Sequence, residues 1–82
     1  MMWYLITFRS VTYAQRGERA LRQVGIACEL QRTPRWMEEK GCGYSLSVKE
    51  LPGALEVLRK QQIPFRKVYR KKQDGSAEEV RL

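Results

Sequence analysis

Two sets of apolar residues at three- and four-residue spacing, Tyr13 to Val24 and Leu51 to Leu58, each lie between runs of strand-forming residues. No other feature narrows the fold as far. Helical and strand periods cannot be exchanged without moving apolar side chains to the wrong face. In the first helix Tyr13, Ala14, Gly17, Ala20, Leu21 and Val24 form the stripe, and Gln15, Arg16, Glu18, Arg19, Arg22 and Gln23 cover the other side. Ser10 and Thr12 are candidate N-caps, and Thr12 with Gln15 has capping-box spacing. Gly25 stands where a C-cap glycine would. The second helix is expected over 49–62, burying Leu51, Ala54, Leu55 and Leu58. Pro52 falls in its first turn, where the missing N–H has no helical partner.

Between and around these helices the period changes to two. Residues 3–8, Trp-Tyr-Leu-Ile-Thr-Phe, read as a strand apolar on both faces, which belongs at the centre of a sheet. Residues 26–32 alternate with Ile26, Cys28 and Leu30 inward. Residues 43–48 alternate with Tyr44, Leu46 and Val48 inward and Ser45 and Ser47 outward. A last strand is expected over 65–70, started by Pro64. The order predicts an α+β fold: a ferredoxin-like split β-α-β-β-α-β sandwich, a four-stranded antiparallel sheet with two helices on one face. Eighty-two residues allow one domain, taken as 1–70. Residues 71–82 are a polar C-terminal tail, or a short hairpin extension if Asp74-Gly75 turns the chain back along Glu78 to Leu82.

Composition then limits the chemistry. Lys plus Arg outnumber Asp plus Glu by 16 to 9, a net charge of +7, which suits an anionic partner without choosing one. There is no histidine, so imidazole catalysis, Cys–His dyads and imidazole zinc sites are absent, and no enzyme activity or cofactor is expected. Two cysteines are too few for a disulfide framework or a structural metal site. The longest apolar stretch, Met1 to Phe8, falls far short of the ~20 residues of a membrane span, and it lacks the marks of a secretory signal. The expected location is cytoplasmic, with no membrane partner.

In this topology the first two strands run parallel. The end of the first, the start of the first helix and the loop after the second therefore share one edge. Cys42, in Gly41-Cys42-Gly43, ends that loop and is expected to face the Ser10–Thr12 helix start. There unpaired N–H groups and the positive end of the macrodipole favour an anion. Arg9, Arg35 and Lys40 add positive charge, and together these lower a thiol pKa. Glu38 and Glu39 oppose it. A structural reading weighs evenly with this one: a small residue in a tight turn between two glycines. Cys28, alternating with Ile26 and Leu30, reads as a buried core thiol, well down the strand from the loop.

The chain also resembles the selenium/sulfur carrier-like domains. It carries Thr7-Phe8-Arg9-Ser10, Gly25-Ile26, Thr33-Pro34-Arg35, Cys42-Gly43 and Val68-Tyr69, in the family's order and at matching spacing. The resemblance implies a thiol carrier. Cys42 would hold a persulfide or selenopersulfide taken from a sulfur or selenium donor protein and delivered to an acceptor protein. Ser10 would cap the helix beside the thiol, and Pro34 and Arg35 would shape and charge the loop. The segment Trp36-Met37-Glu38-Glu39-Lys40-Gly41 departs from the small residues of the family pattern.

The alternative is a small basic RNA-binding or protein-interaction module in which Cys42 is only structural. Arg66, Arg70, Lys71 and Lys72 would contact phosphates. Nucleic acid is the weaker reading, because Tyr44 is the one stacking candidate on the middle strands and its alternation turns it inward. Trp36 is a candidate interface anchor, and homodimerisation through a strand edge is open.

Overall fold

The computed structural model describes residues 2–33 and 43–81. In chain order these form β1 (Tyr4–Thr7), α1 (Val11–Gln23), β2 (Cys28–Arg32), β3 (Tyr44–Val48), α2 (Leu51–Lys60), β4 (Val68–Lys71) and β5 (Ala77–Val80). The strands make one antiparallel sheet of order β2-β3-β1-β4-β5. The doubly apolar run of β1 lies in the middle, as its composition requires. Ile6, Leu46, Val48 and Val68 share one sheet face through the pairings Ile6↔Leu46 and Ile6↔Val68. They pack with Phe8, with Ala14, Ala20 and Leu21 of α1, and with Leu51, Ala54, Leu55 and Leu58 of α2 in a single cluster. Both helices therefore cover the same face. Each fully buried Leu or Phe contributes about 1.5–3 kcal/mol, so this cluster holds the domain together.

Four expectations are corrected. The sheet has five strands, not four, because the 71–82 segment turns back as a hairpin. The Asp74 carboxylate accepts hydrogen bonds from the Ser76 N–H (2.9 Å) and hydroxyl (2.6 Å), which fixes the turn and holds its carboxyl below the usual carboxylate range. Val24 is 57% exposed rather than part of the helical stripe. The helix ends at Gln23, and Gly25 takes φ +79° so that the Ile26 N–H reaches the Leu21 carbonyl at 2.9 Å. The last strand begins at Val68, not Phe65, although the Arg66 N–H already donates to the Thr7 carbonyl at 2.8 Å. Ser45 and Ser47, expected outward on a solvated face, are buried at 0% and 3% exposure. They lie on the helix-free face of an interior strand. Each is the shortest side chain in its row, between Gln31 and Thr7 or between Glu29 and Leu5. The Ser45 hydroxyl has no hydrogen-bond partner among the described residues.

α2 is capped by Glu50, whose carboxylate accepts the Gly53 N–H at 2.6 Å. At its other end Gln62 adopts φ +57°, and the Ile63 N–H reaches the Leu58 carbonyl at 2.9 Å. This repeats the closure of α1 without a glycine.

Candidate functional site

The pairing register assembles one end of the sheet. Thr7, the last residue of β1, stands opposite Ser45, and Arg32, the last of β2, opposite Tyr44. The Thr33 N–H donates to the Gly43 carbonyl at 2.9 Å, so the chain leaves β2 and re-enters β3 side by side. Gly43 has φ +82°, a conformation that glycine adopts without strain. Beyond Thr7 and Phe8, the Ser10 hydroxyl accepts the Tyr13 N–H at 3.3 Å and starts α1 at this same end. Thr12 lies inside the first turn, exposed, and is not the cap; the capping box with Gln15 is not formed. Of the site residues read from the sequence, Ser10, Thr12 and Gly43 are described. Cys42, Pro34, Arg35, Lys40 and Gly41, with Trp36, Glu38 and Glu39, lie outside the described residues.

A second feature of this end was not legible in any one stretch of sequence. Arg9 follows β1, Arg32 ends β2, Arg66 and Lys67 precede β4, and Arg81 follows β5. Because these strand ends coincide, the five cations lie in a row along the sheet end that also holds the Thr33–Gly43 contact. Lys67 pairs with Glu79 at 3.6 Å. Arg9, Arg32, Arg66 and Arg81 form no ion pair among the described residues. Together with the start of α1, this rim makes the sheet end strongly attractive to an anion. The signal in the sequence was a cationic residue at almost every strand terminus on one side.

Cys28 stands at the opposite end of β2, about 13 Å from Arg32 at strand rise. It is half-buried, not fully buried as expected. It packs against the core and lines a surface hollow with Arg22, Gly25, Ile26 and Ala27. Its S–H donates to the Glu18 carbonyl at 3.7 Å. Burial pushes the thiol pKa up, outweighing the Arg22 guanidinium that pulls it down. The neutral form is therefore favoured, and little thiolate exists near neutrality. In a Cys42→Ser background, alkylation of Cys28 by iodoacetamide should be slower than that of glutathione at pH 7.5. Its rate should still be climbing at the pH where a free thiol has levelled off. A profile matching glutathione would contradict the desolvated environment.

Tyr44 is half-buried and packs against the core on the helix side, so it offers no stacking surface on the helix-free face. On that face Trp3 has the Lys49 ammonium 4.7 Å above its ring. No helix among the described residues is long and apolar enough to cross a membrane.

Compared with known proteins, residues 3–70 match the family model described as "Putative Se/S carrier protein-like". No curated protein and no solved structure matches the chain.

Proposed function

The chain belongs to the Se/S carrier protein-like family, and from that premise we propose that it is a thiol carrier. In this reading Cys42 holds a persulfide or selenopersulfide for delivery to an acceptor protein. One observation carries it: Gly43, the residue after Cys42, is bonded to Thr33 at the sheet end where Arg32 and Arg9, on the flanking strands and without an ion pair among the described residues, stand with the capped start of α1. A persulfide is an anion near neutral pH, so a positive end with available amides suits the loaded form as well as the thiolate that precedes it.

Loading needs no cofactor. The Cys42 thiolate attacks the outer sulfur of a donor persulfide and a new S–S bond forms. The donor's own S–S bond breaks, and the donor leaves as a thiolate with no net oxidation. Delivery is the same exchange in reverse onto an acceptor thiol. The chain turns nothing over on its own in this scheme, and works in a reducing, cytoplasmic setting where the thiol persists. Pro34, Arg35, Lys40 and Gly41 are assigned to shaping and charging the approach to Cys42. We also read the fold as ferredoxin-like with one strand added, supported by the order β2-β3-β1-β4 of its first four strands and by both helices sharing one face.

The test is intact-mass analysis after incubation with glutathione persulfide or its selenium counterpart. Wild type should gain the chalcogen and lose it to reductant. Cys42→Ser should gain none while melting at an unchanged temperature. No adduct on wild type, or an adduct on Cys28 alone, would end the carrier reading.

A further inference from the structure

The family match ends at residue 70, so of the β4–β5 hairpin only the turn and β5 lie beyond it. We infer that this hairpin completes a docking surface for an acidic protein face. The surface is formed by Arg66 and Arg81 at the sheet end, with Arg9 and Arg32 continuing it across the other strands.

The register supplies the geometry. Val68 pairs with Val80, so Lys67 and Arg81 are the next residues outward on neighbouring strands. Arg66, Lys67, Val68, Glu79, Val80 and Arg81 line one shallow hollow there. Within it Lys67 is neutralised by Glu79, whereas Arg66 and Arg81 have no carboxylate partner among the described residues. At the other end of the same hairpin the charges are satisfied differently, with Glu78 bridging Arg70 and Lys72. Two cations without a carboxylate partner among the described residues stand at this end, against Lys71 alone at the other, so a complementary negative surface meets more charge here.

Arginine fits carboxylates through its planar fork, which pairs two oxygens at once. A single-stranded nucleic acid would also be attracted, but it is held by aromatic side chains on which bases stack. The helix-free row at this end is Gln31, Ser45, Thr7 and Lys67, with no aromatic residue, and Tyr69 in the next row is half-buried between Leu5 and Glu79. The observations therefore favour a protein partner. This inference rests on the carrier reading for what the partner exchanges, and on the register alone for where it docks.

Fluorescence anisotropy with labelled decaglutamate, and with a ten-nucleotide poly-uridine of similar charge, tests it at 0.1 M ionic strength. The variants are R66E/R81E, the milder R66Q/R81Q, and K71E/K72E as a control with the same charge change at the far end of the hairpin. Arg66 and Lys71 are separated by about 17 Å along the strand. That exceeds the Debye length of about 10 Å at this salt, so the two ends act independently. R66E/R81E should bind decaglutamate about tenfold more weakly and R66Q/R81Q less so, with K71E/K72E within about twofold of wild type. Equal losses from both ends, tighter binding of poly-uridine than of decaglutamate, or no binding by wild type would each overturn the proposal. Melting curves confirm that the variants are folded. Loading of Cys42 from glutathione persulfide is read in the same variants. Loading retained while R66E/R81E loses binding supports docking as a separate property of the rim. Loss of loading in wild type, with position-dependent binding intact, ends the carrier reading and leaves the docking surface standing.

Discussion

Replacing Phe8 with alanine is expected to remove most of the stability of this domain. Phe8 is wholly buried, with its ring edge against the first helix at Gly17 and its side chain in the cluster shared by both helices and the sheet. Truncating a buried Phe costs about 3–5 kcal/mol through lost transfer energy and the cavity left behind. A chain of this length has on the order of 4–12 kcal/mol in total. Phe8→Ala should therefore bring the urea midpoint close to zero or leave the protein unfolded at 25 °C, followed by far-UV circular dichroism. A loss below about 1 kcal/mol would mean that the sheet end around Arg9 and Ser10 is not anchored by this ring.

The second large effect is at Gly17, where the helix comes closest to its neighbours. A Cβ built there would stand 3.0 Å from Leu46 Cδ1, 3.2 Å from Leu58 Cδ2 and 3.3 Å from Phe8 Cζ. Those three atoms belong to β3, α2 and the residue that follows β1, so a side chain at 17 must push on the sheet and the other helix together. Alanine needs only a few tenths of an ångström from its neighbours and gains about 1 kcal/mol of helix propensity, so Gly17→Ala should stay within about 1 kcal/mol of wild type. Leucine has no volume to occupy, and Gly17→Leu should lose about 3 kcal/mol or more. Equal melting temperatures for the two variants would show that α1 moves away freely, contradicting the close packing.

These two residues also show what the sequence made legible. Gly17 and Phe8 fall on the apolar pattern, and the stripes of α1 and α2 with the alternation of β3 were enough to set element order and the shared core. Periodicity failed where local chemistry overrode it. The stripe through Val24 continued past the helix end because periodicity does not register a glycine closure. The cap of α1 is Ser10 rather than Thr12 because only Ser10 precedes the first helical residue. Gln62 closes α2 in a conformation that no glycine announces. Ser45 and Ser47 looked like a solvated face because alternation assigns a side and not a depth, and a short side chain in the interior of a sheet is the easiest to cover.

The candidate site was half legible. Cys42, Gly43 and Ser10 emerge from motif and topology, since each lies next to a recognisable break in pattern. The arginine rim does not. Arg9, Arg32, Arg66 and Arg81 are scattered through the chain, and only the pairing of β2 with β3, of β1 with β3 and β4, and of β4 with β5 brings them to one end. Charge counting gave the excess of cations without their address. For the same reason the helical arginines Arg16, Arg19 and Arg22, the densest basic run in α1, are not part of this end.

The central place of β1 has a consequence for how the chain comes to be made. Tyr4 pairs with Val48 on one side and with Arg70 on the other, so β1 is synthesised before both of its neighbours and waits for them. Contacts this remote in sequence are slow to form, because the loop must close before the pairing rewards it. Until β3 and β4 arrive, Leu5, Ile6 and Phe8 have no sheet to enter, and a growing chain presents them to whatever is nearby. Yield during synthesis, more than stability of the finished domain, is then the property most sensitive to anything that delays β4.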